Sequence, residues 1–182
     1  MTTVTALPYS RPLTRADLER MPDDGHRYEL IDGTLLVSPA PRHGHQTVVG
    51  NLYLALRAAC PADLQVILAP FAVALADDTE VQPDLLVAPR AQFTDRELPG
   101  APLLAVEVLS PSTRRIDLLL KRDRLQSAGV PSYWLVDPDE PSVTVLELRD
   151  GTYVEAGTAT GSQALEVALP FPVELVPALL LA

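Results

Sequence analysis

An aspartate after a proline, a second acid inside an apolar run and a lone lysine stand in series along this 182-residue chain. Asp84 follows Gln82-Pro83 and precedes Leu85-Leu86-Val87; Glu107, 23 residues on, sits within Leu103-Leu104-Ala105-Val106-Glu107-Val108-Leu109; Lys121 follows 14 residues later. Charged side chains are almost never fully buried unless paired or bound to metal, so each of these acids needs a partner. Two carboxylates on neighbouring strands repel, and a bound Mg²⁺ relieves that repulsion while keeping water and substrate phosphate among its other ligands. A metal held so can activate water, neutralise phosphate charge and orient the scissile group. Lys121, one helix away, could position the attacking water or balance transition-state charge. The series reads as a metal-dependent nuclease site with Asp84 and Glu107 as ligands. Buried salt bridges, Glu107 with Lys121 and Asp84 with an arginine, account for the same residues.

Thirteen of the 14 basic residues are arginine, so the single lysine stands apart. An ammonium is a compact charge with a tunable pKa, whereas guanidinium is a planar fork that stays protonated. Glu29, between Tyr28 and Leu30, either faces the same cavity and completes the metal's outer shell or faces solvent. His43 and His45 are two residues apart and make a poor joint metal pair on helix or strand. His45, near a helix start, is the candidate phosphate contact of the two, with a surface cap as the alternative. Arg114 and Arg115 open a basic segment that also holds Lys121, Arg122 and Arg124 against Asp117 and Asp123. It fits a nucleic-acid backbone, or equally an exposed helix face with i,i+4 pairs such as Asp117–Lys121.

The elements that must place these residues follow from periodicity. A short helix is expected over 14–20, with Thr14 as N-cap and Pro22 just beyond its end. Tyr28–Ile31 and Thr34–Ser38 flank Asp32-Gly33, a strong hairpin signal, and Asp150-Gly151 marks a second hairpin between 143–148 and 152–154. Apolar residues at Val48, Val49, Leu52, Leu56 and Ala59 have helical spacing that stops at Pro61. Strands are expected at 64–68, 71–75 and around 84–87. The run 103–109 suits a strand buried on both faces, and 132–136 another. Ser110-Pro111 starts a helix that ends near Ala128, before Gly129.

Bulk properties set limits. The length fits one domain, 1–182, with residues 1–13 as an N-terminal extension. With 47 % hydrophobic residues and mean hydropathy +0.14, the chain can build a real core. No run reaches the roughly 20 apolar residues that span a bilayer, and no signal peptide is visible, so a cytoplasmic location is expected. Cys60 is the only cysteine, which excludes an internal disulfide and a Cys-based zinc site. No Gly-rich phosphate loop and no Gly-x-Ser-x-Gly elbow occurs. The net charge of −10 is unusual for a nucleic-acid enzyme, whose affinity comes from cations meeting phosphates.

Arg-Tyr-Glu29-Leu-Ile-Asp-Gly, His45, Gln82-Pro-Asp84, Val-Glu107-Val-Leu-Ser-Pro-Ser-Thr, Asp117 with Lys121, and Gly-Val-Pro-Ser-Tyr-Trp-Leu-Val-Asp-Pro together resemble the Uma-type restriction endonuclease-like family of the PD-(D/E)xK nuclease superfamily. The similarity runs from about Thr14 to about Tyr153. It implies an α/β (α+β) fold: a restriction-endonuclease-like core with a central mixed sheet, flanking helices near 45–59 and 111–128, and hairpins. It also implies Mg²⁺, with Mn²⁺ as a substitute, held by Asp84 and Glu107, and DNA as substrate. Leu109 stands where the superfamily usually has its lysine, so Lys121 would supply the amine; Leu125 stands where the family commonly has tyrosine. A catalytically silent nucleic-acid- or protein-binding module on the same scaffold is the rival reading. Cutting both strands calls for a second site, and the apolar stretch 165–181 offers surface, so a homodimer is expected.

Overall fold

The computed structural model describes residues 11–111 and 114–182. Its strands are β1 (Arg27–Ile31), β2 (Thr34–Ser38), β3 (Leu64–Leu68), β4 (Ala72–Ala76), β5 (Thr79–Val81), β6 (Leu85–Pro89), β7 (Glu97–Pro99), β8 (Leu104–Val108), β9 (Ser132–Asp137), β10 (Ser142–Arg149), β11 (Thr152–Thr160), β12 (Leu165–Val167) and β13 (Val173–Leu175). The α-helices are α1 (Arg15–Leu18), α2 (His43–Ala59) and α3 (Arg122–Ser127). A six-stranded sheet runs β11-β10-β9-β8-β6-β3, and a five-stranded one β2-β1-β5-β4-β7. Both are mixed: β8 lies parallel to β9 in the first, β4 parallel to β7 in the second.

Strand β8 shows why the larger sheet is central. All five of its residues are buried, as its apolar run predicts for a strand covered on both faces. Leu104, Val106 and Val108 pack with Val48, Leu52 and Leu56 of α2. Ala105 packs on the opposite face with Ile31, Val73 and Val81 of the smaller sheet and with Leu125 of α3. Period-two alternation therefore turns Glu107 toward the second layer.

Both hairpins form at the expected Asp-Gly pairs. Asp32 and Gly33 have φ of 50° and 72°, and Asp150 and Gly151 have 49° and 77°, the left-handed turn that matches strand twist. At Gly33 the backbone of 12–13 closes in, and a Cβ would stand 2.4 Å from Pro12 Cβ. Residues 11–13, expected as part of an extension, are thus docked: Leu13 is buried and its N–H donates to the Gly33 carbonyl. The rest of that expected extension, 1–10, lies outside the described residues. The first helix is shorter than expected, ending at Leu18.

Two differences bear on function. The helix after β8 is helical from Arg114, but Ile116–Lys121 is a π-helical turn before α3 begins. The apolar C-terminal stretch is partly consumed by the core: Val167, Phe171, Leu175 and Leu180 pack in the α2 cluster, leaving Leu169, Leu179 and Leu181 exposed. It offers less free surface than the composition implies. Among the described residues no helix is long and apolar enough to cross a membrane.

Candidate active site

Strand register brings the two acids together. Leu85 of β6 pairs with Val106 of β8 in antiparallel register, so Asp84, one residue before β6, stands opposite Glu107. Directly opposed residues share a face of the sheet. Asp84 Oδ2 accepts the Val108 N–H at 2.9 Å and faces His45 Nε2 at 3.1 Å; Oδ1 accepts Arg27 Nη1 at 2.9 Å. Burial alone pushes the Asp84 carboxyl up, but His45, Arg27 and the Val108 N–H outweigh it and hold it at about 2. Asp84 is therefore a carboxylate at neutral pH.

Lys121 is the centre of the other half. Its ammonium lies 2.9 Å from Glu29 Oε1, 2.9 Å from Glu107 Oε1 and 3.6 Å from Asp117 Oδ1, and the residue is only 1 % exposed. Burial lowers its pKa, yet Glu107, Glu29 and Asp117 more than reverse that and hold it protonated. The π-helical turn places both Asp117 and Lys121, and such turns recur at functional sites. Asp117 and Lys121 do form an i,i+4 pair, but inside the protein and not on an exposed face.

From the second layer, β1 contributes alternate residues. Glu29 is buried among these groups; its Oε1 also accepts the Gln82 N–H at 2.8 Å. Two residues earlier on the same face, Arg27 reaches Asp84 and brings its Nε to 3.4 Å from Glu29 Oε2. Sequence reasoning missed Arg27: its i,i+2 spacing puts it on the Glu29 face of β1, but nothing local marks its contact with Asp84.

The salt bridges set as alternatives to a shared site thus coexist within one cluster. Four buried carboxylates (Glu29, Asp84, Glu107, Asp117) face two permanent cations, Arg27 and Lys121. Glu107 shows the strain of that imbalance. Full burial raises its pKa, Lys121 opposes the rise, and Asp117, Asp84 and Glu29 add to it, leaving it well above the usual carboxylate range. Lys121 Nζ supplies the one hydrogen bond that this carboxylate accepts among the described residues.

That donor set fits a hard divalent cation. It offers carboxylate oxygens, with four carboxylates facing two permanent cations. No group of three or more His, Cys, Asp or Glu forms a ready cage among the described residues. Mg²⁺, which keeps several waters, needs only one or two protein carboxylates.

Asp84, Arg27 and His45 line a cleft of about 1240 Å³ that also includes Arg42, Gln82 and Ser110. Lys121 and Glu29 lie behind it, beside a cavity of about 60 Å³. Arg114 lies outside the residues lining the cleft and is engaged by Asp137 at 2.6 Å; Arg115 is exposed, also outside the lining. Leu125, where the resemblance expects tyrosine, is buried with Tyr133 and Leu135.

A mixed sheet whose antiparallel pair sets two acids side by side, one of them on a buried lysine, defines a restriction-endonuclease-like protein. A family profile described as "Putative restriction endonuclease" (Uma2) matches residues 15–181, and the chain belongs to that family. Among solved structures, a "putative nuclease belonging to DUF820" from Anabaena variabilis is similar over 87 % of this chain and 90 % of its own, with a TM-score of 0.69 and 20 % identity. At that identity the likeness speaks for the fold. No curated protein matches the sequence.

Proposed function

We propose that this chain is a Mg²⁺-dependent DNA endonuclease, with Mn²⁺ as a substitute. The observation that carries the reading is the buried cluster of four carboxylates and one lysine behind an open cleft, its negative charge exceeding its permanent positive charge. Asp84 and Glu107 would hold the ion, which when bound activates water and offsets phosphate charge. Lys121 acts as a charged donor and not as a base, because three carboxylates keep it protonated. Glu29, pinned by the Gln82 N–H, fixes where that ammonium points. His45, turned to Asp84 through Nε2, orients that carboxylate and borders the cleft where a phosphate would lie. Arg115, exposed on the segment after Glu107, stays available to a DNA backbone, whereas Arg114 would first have to leave Asp137. A second copy of the chain would supply the cut on the other strand, in the cytoplasm.

Cleavage of supercoiled plasmid with Mg²⁺ or Mn²⁺, against Asp84→Asn and Lys121→Arg, tests the reading. The parent should cut and both variants should not. Lys121→Arg keeps the charge but cannot seat a planar fork where an ammonium stood. A parent that binds Mn²⁺ in calorimetry and DNA in gel shift, yet leaves plasmid intact, would establish the silent binding module instead.

A further inference from the structure

Arg27 stands beside the Asp84 oxygen that has room for an incoming cation. A carboxylate offers about four lone-pair positions. On Asp84, Oδ2 already faces the Val108 N–H and His45 Nε2, so the room left for another partner is on Oδ1, beside the Arg27 Nη1 that it already accepts. Arg27 is also held more loosely than Lys121. Its Nε is buried without a hydrogen-bond partner, at 3.4 Å from Glu29 Oε2, and its side chain is 21 % exposed toward the cleft against 2 % for Lys121. A second positive charge at Asp84 would repel the guanidinium, and the cleft is its open exit. There it meets the place for a phosphate, whose geometry a guanidinium fork matches with two parallel hydrogen bonds.

We propose that Arg27 is a place-holding cation and phosphate-binding residue: without a divalent ion it neutralises Asp84, and once Asp84 Oδ1 is taken its guanidinium turns into the cleft and binds a phosphate of the nucleic acid. The inference rests on the metal-dependent reading above. It makes ion and DNA binding mutually supportive through one side chain, since each ligand favours the same turned-out arginine.

The test is a cycle of binding measurements that needs no turnover. Affinity of a fluorescently labelled DNA duplex is measured with Ca²⁺ and with EDTA, for parent, Arg27→Met and Arg27→Lys, alongside Mn²⁺ calorimetry and circular dichroism. With Ca²⁺, Arg27→Met should weaken DNA binding on the order of 10-fold and reduce the salt slope by about one contact. With EDTA the same change should alter affinity less than about 2-fold, because the guanidinium is then committed to Asp84. Arg27→Met should also bind Mn²⁺ on the order of 10-fold more tightly, since no arginine has to be displaced first. Arg27→Lys keeps the charge and guards against a folding defect; it should retain part of the Ca²⁺-dependent DNA affinity. Equal loss of DNA affinity with Ca²⁺ and with EDTA, in a parent that binds both ligands, would overturn the switch and leave the nuclease reading standing. A parent that binds neither ion nor DNA overturns both.

Discussion

Replacing Lys121 by methionine keeps a linear, apolar stem and removes only the charge. The ammonium is the shared partner of Glu29 and Glu107, at 2.9 Å each, with Asp117 at 3.6 Å. Taking one partner from a buried pair typically costs about 3–5 kcal/mol, because the charge left behind has no water to turn to. For a chain of this length each kcal/mol moves Tm by about 2–4 °C, so a drop of roughly 6–20 °C is expected at pH 7.5. The penalty should shrink with acid, and the sign is fixed by Glu107. Its folded pKa is raised above the usual 4.5, so its contribution to stability is fully present below the unfolded value and is lost as pH rises through the folded one. Removing Lys121 takes away the one influence that holds Glu107 down, so parent and variant should converge between pH 7.5 and 5. Adding Glu107→Gln to Lys121→Met should recover part of the loss, since the two residues touch. Urea denaturation of the four proteins of that cycle at both pH values measures each quantity. A Lys121→Met protein within about 1 kcal/mol of the parent at pH 7.5 would refute the argument that this lysine compensates buried charge.

Asp84 works in the opposite direction: its depressed pKa of about 2 adds stability that is present above pH 3.8 and lost as pH falls toward 2, roughly 2 kcal/mol in all, and Asp84→Asn should flatten that acid limb in urea melts. Mg²⁺ at about 100 times its Kd should raise the parent Tm by roughly 5–10 °C and leave Asp84→Asn unmoved in thermal scans. Gly33→Ala should cost more than Gly151→Ala: both glycines need positive φ, worth about 1 kcal/mol, but only at Gly33 would the new Cβ meet Pro12, adding about 1–3 kcal/mol readable by denaturant melts. Light scattering at micromolar concentration should give a mass twice 19.7 kDa if two copies associate; the monomer mass alone would remove the second-copy proposal.

Much of this arrangement is legible in the residues, for reasons that differ by element. Glu107 announces itself because a carboxylate flanked by six apolar neighbours has to find a partner. Lys121 stands out by being the single lysine, and the Asp-Gly turns by their need for positive φ. What stayed hidden depends on contacts remote in sequence. Arg27 joins Asp84 across 57 positions, through the stacking of two sheets that no local pattern encodes. The Gln82 and Val108 N–H groups that orient Glu29 and Asp84 are backbone donors, which carry no side-chain signature at all. The burial of Phe171 and Leu175 against α2 was equally invisible, since an apolar stretch with prolines looks the same whether it covers its own core or another molecule's.

The π-helical turn Ile116–Lys121 makes the position of the lysine a matter of counting. A π turn accommodates one residue more than the α-helical path between the same two ends. Each residue in an α-helix advances the direction of its side chain by about 100°. If one exposed residue of the turn, such as Leu119, were deleted, the segment could relax to a regular α-helix with α3 still seated on Leu125. The residues before and after the deletion would keep their relative directions, because the shorter α-helical path joins the same two ends. Asp117 and Lys121, one on each side of it, would then stand three residues apart and still share a face. A regular α-helix that kept every residue would instead turn the part before the extra residue by about 100° against α3, so the site depends on how this segment winds as well as on its acids and its single amine.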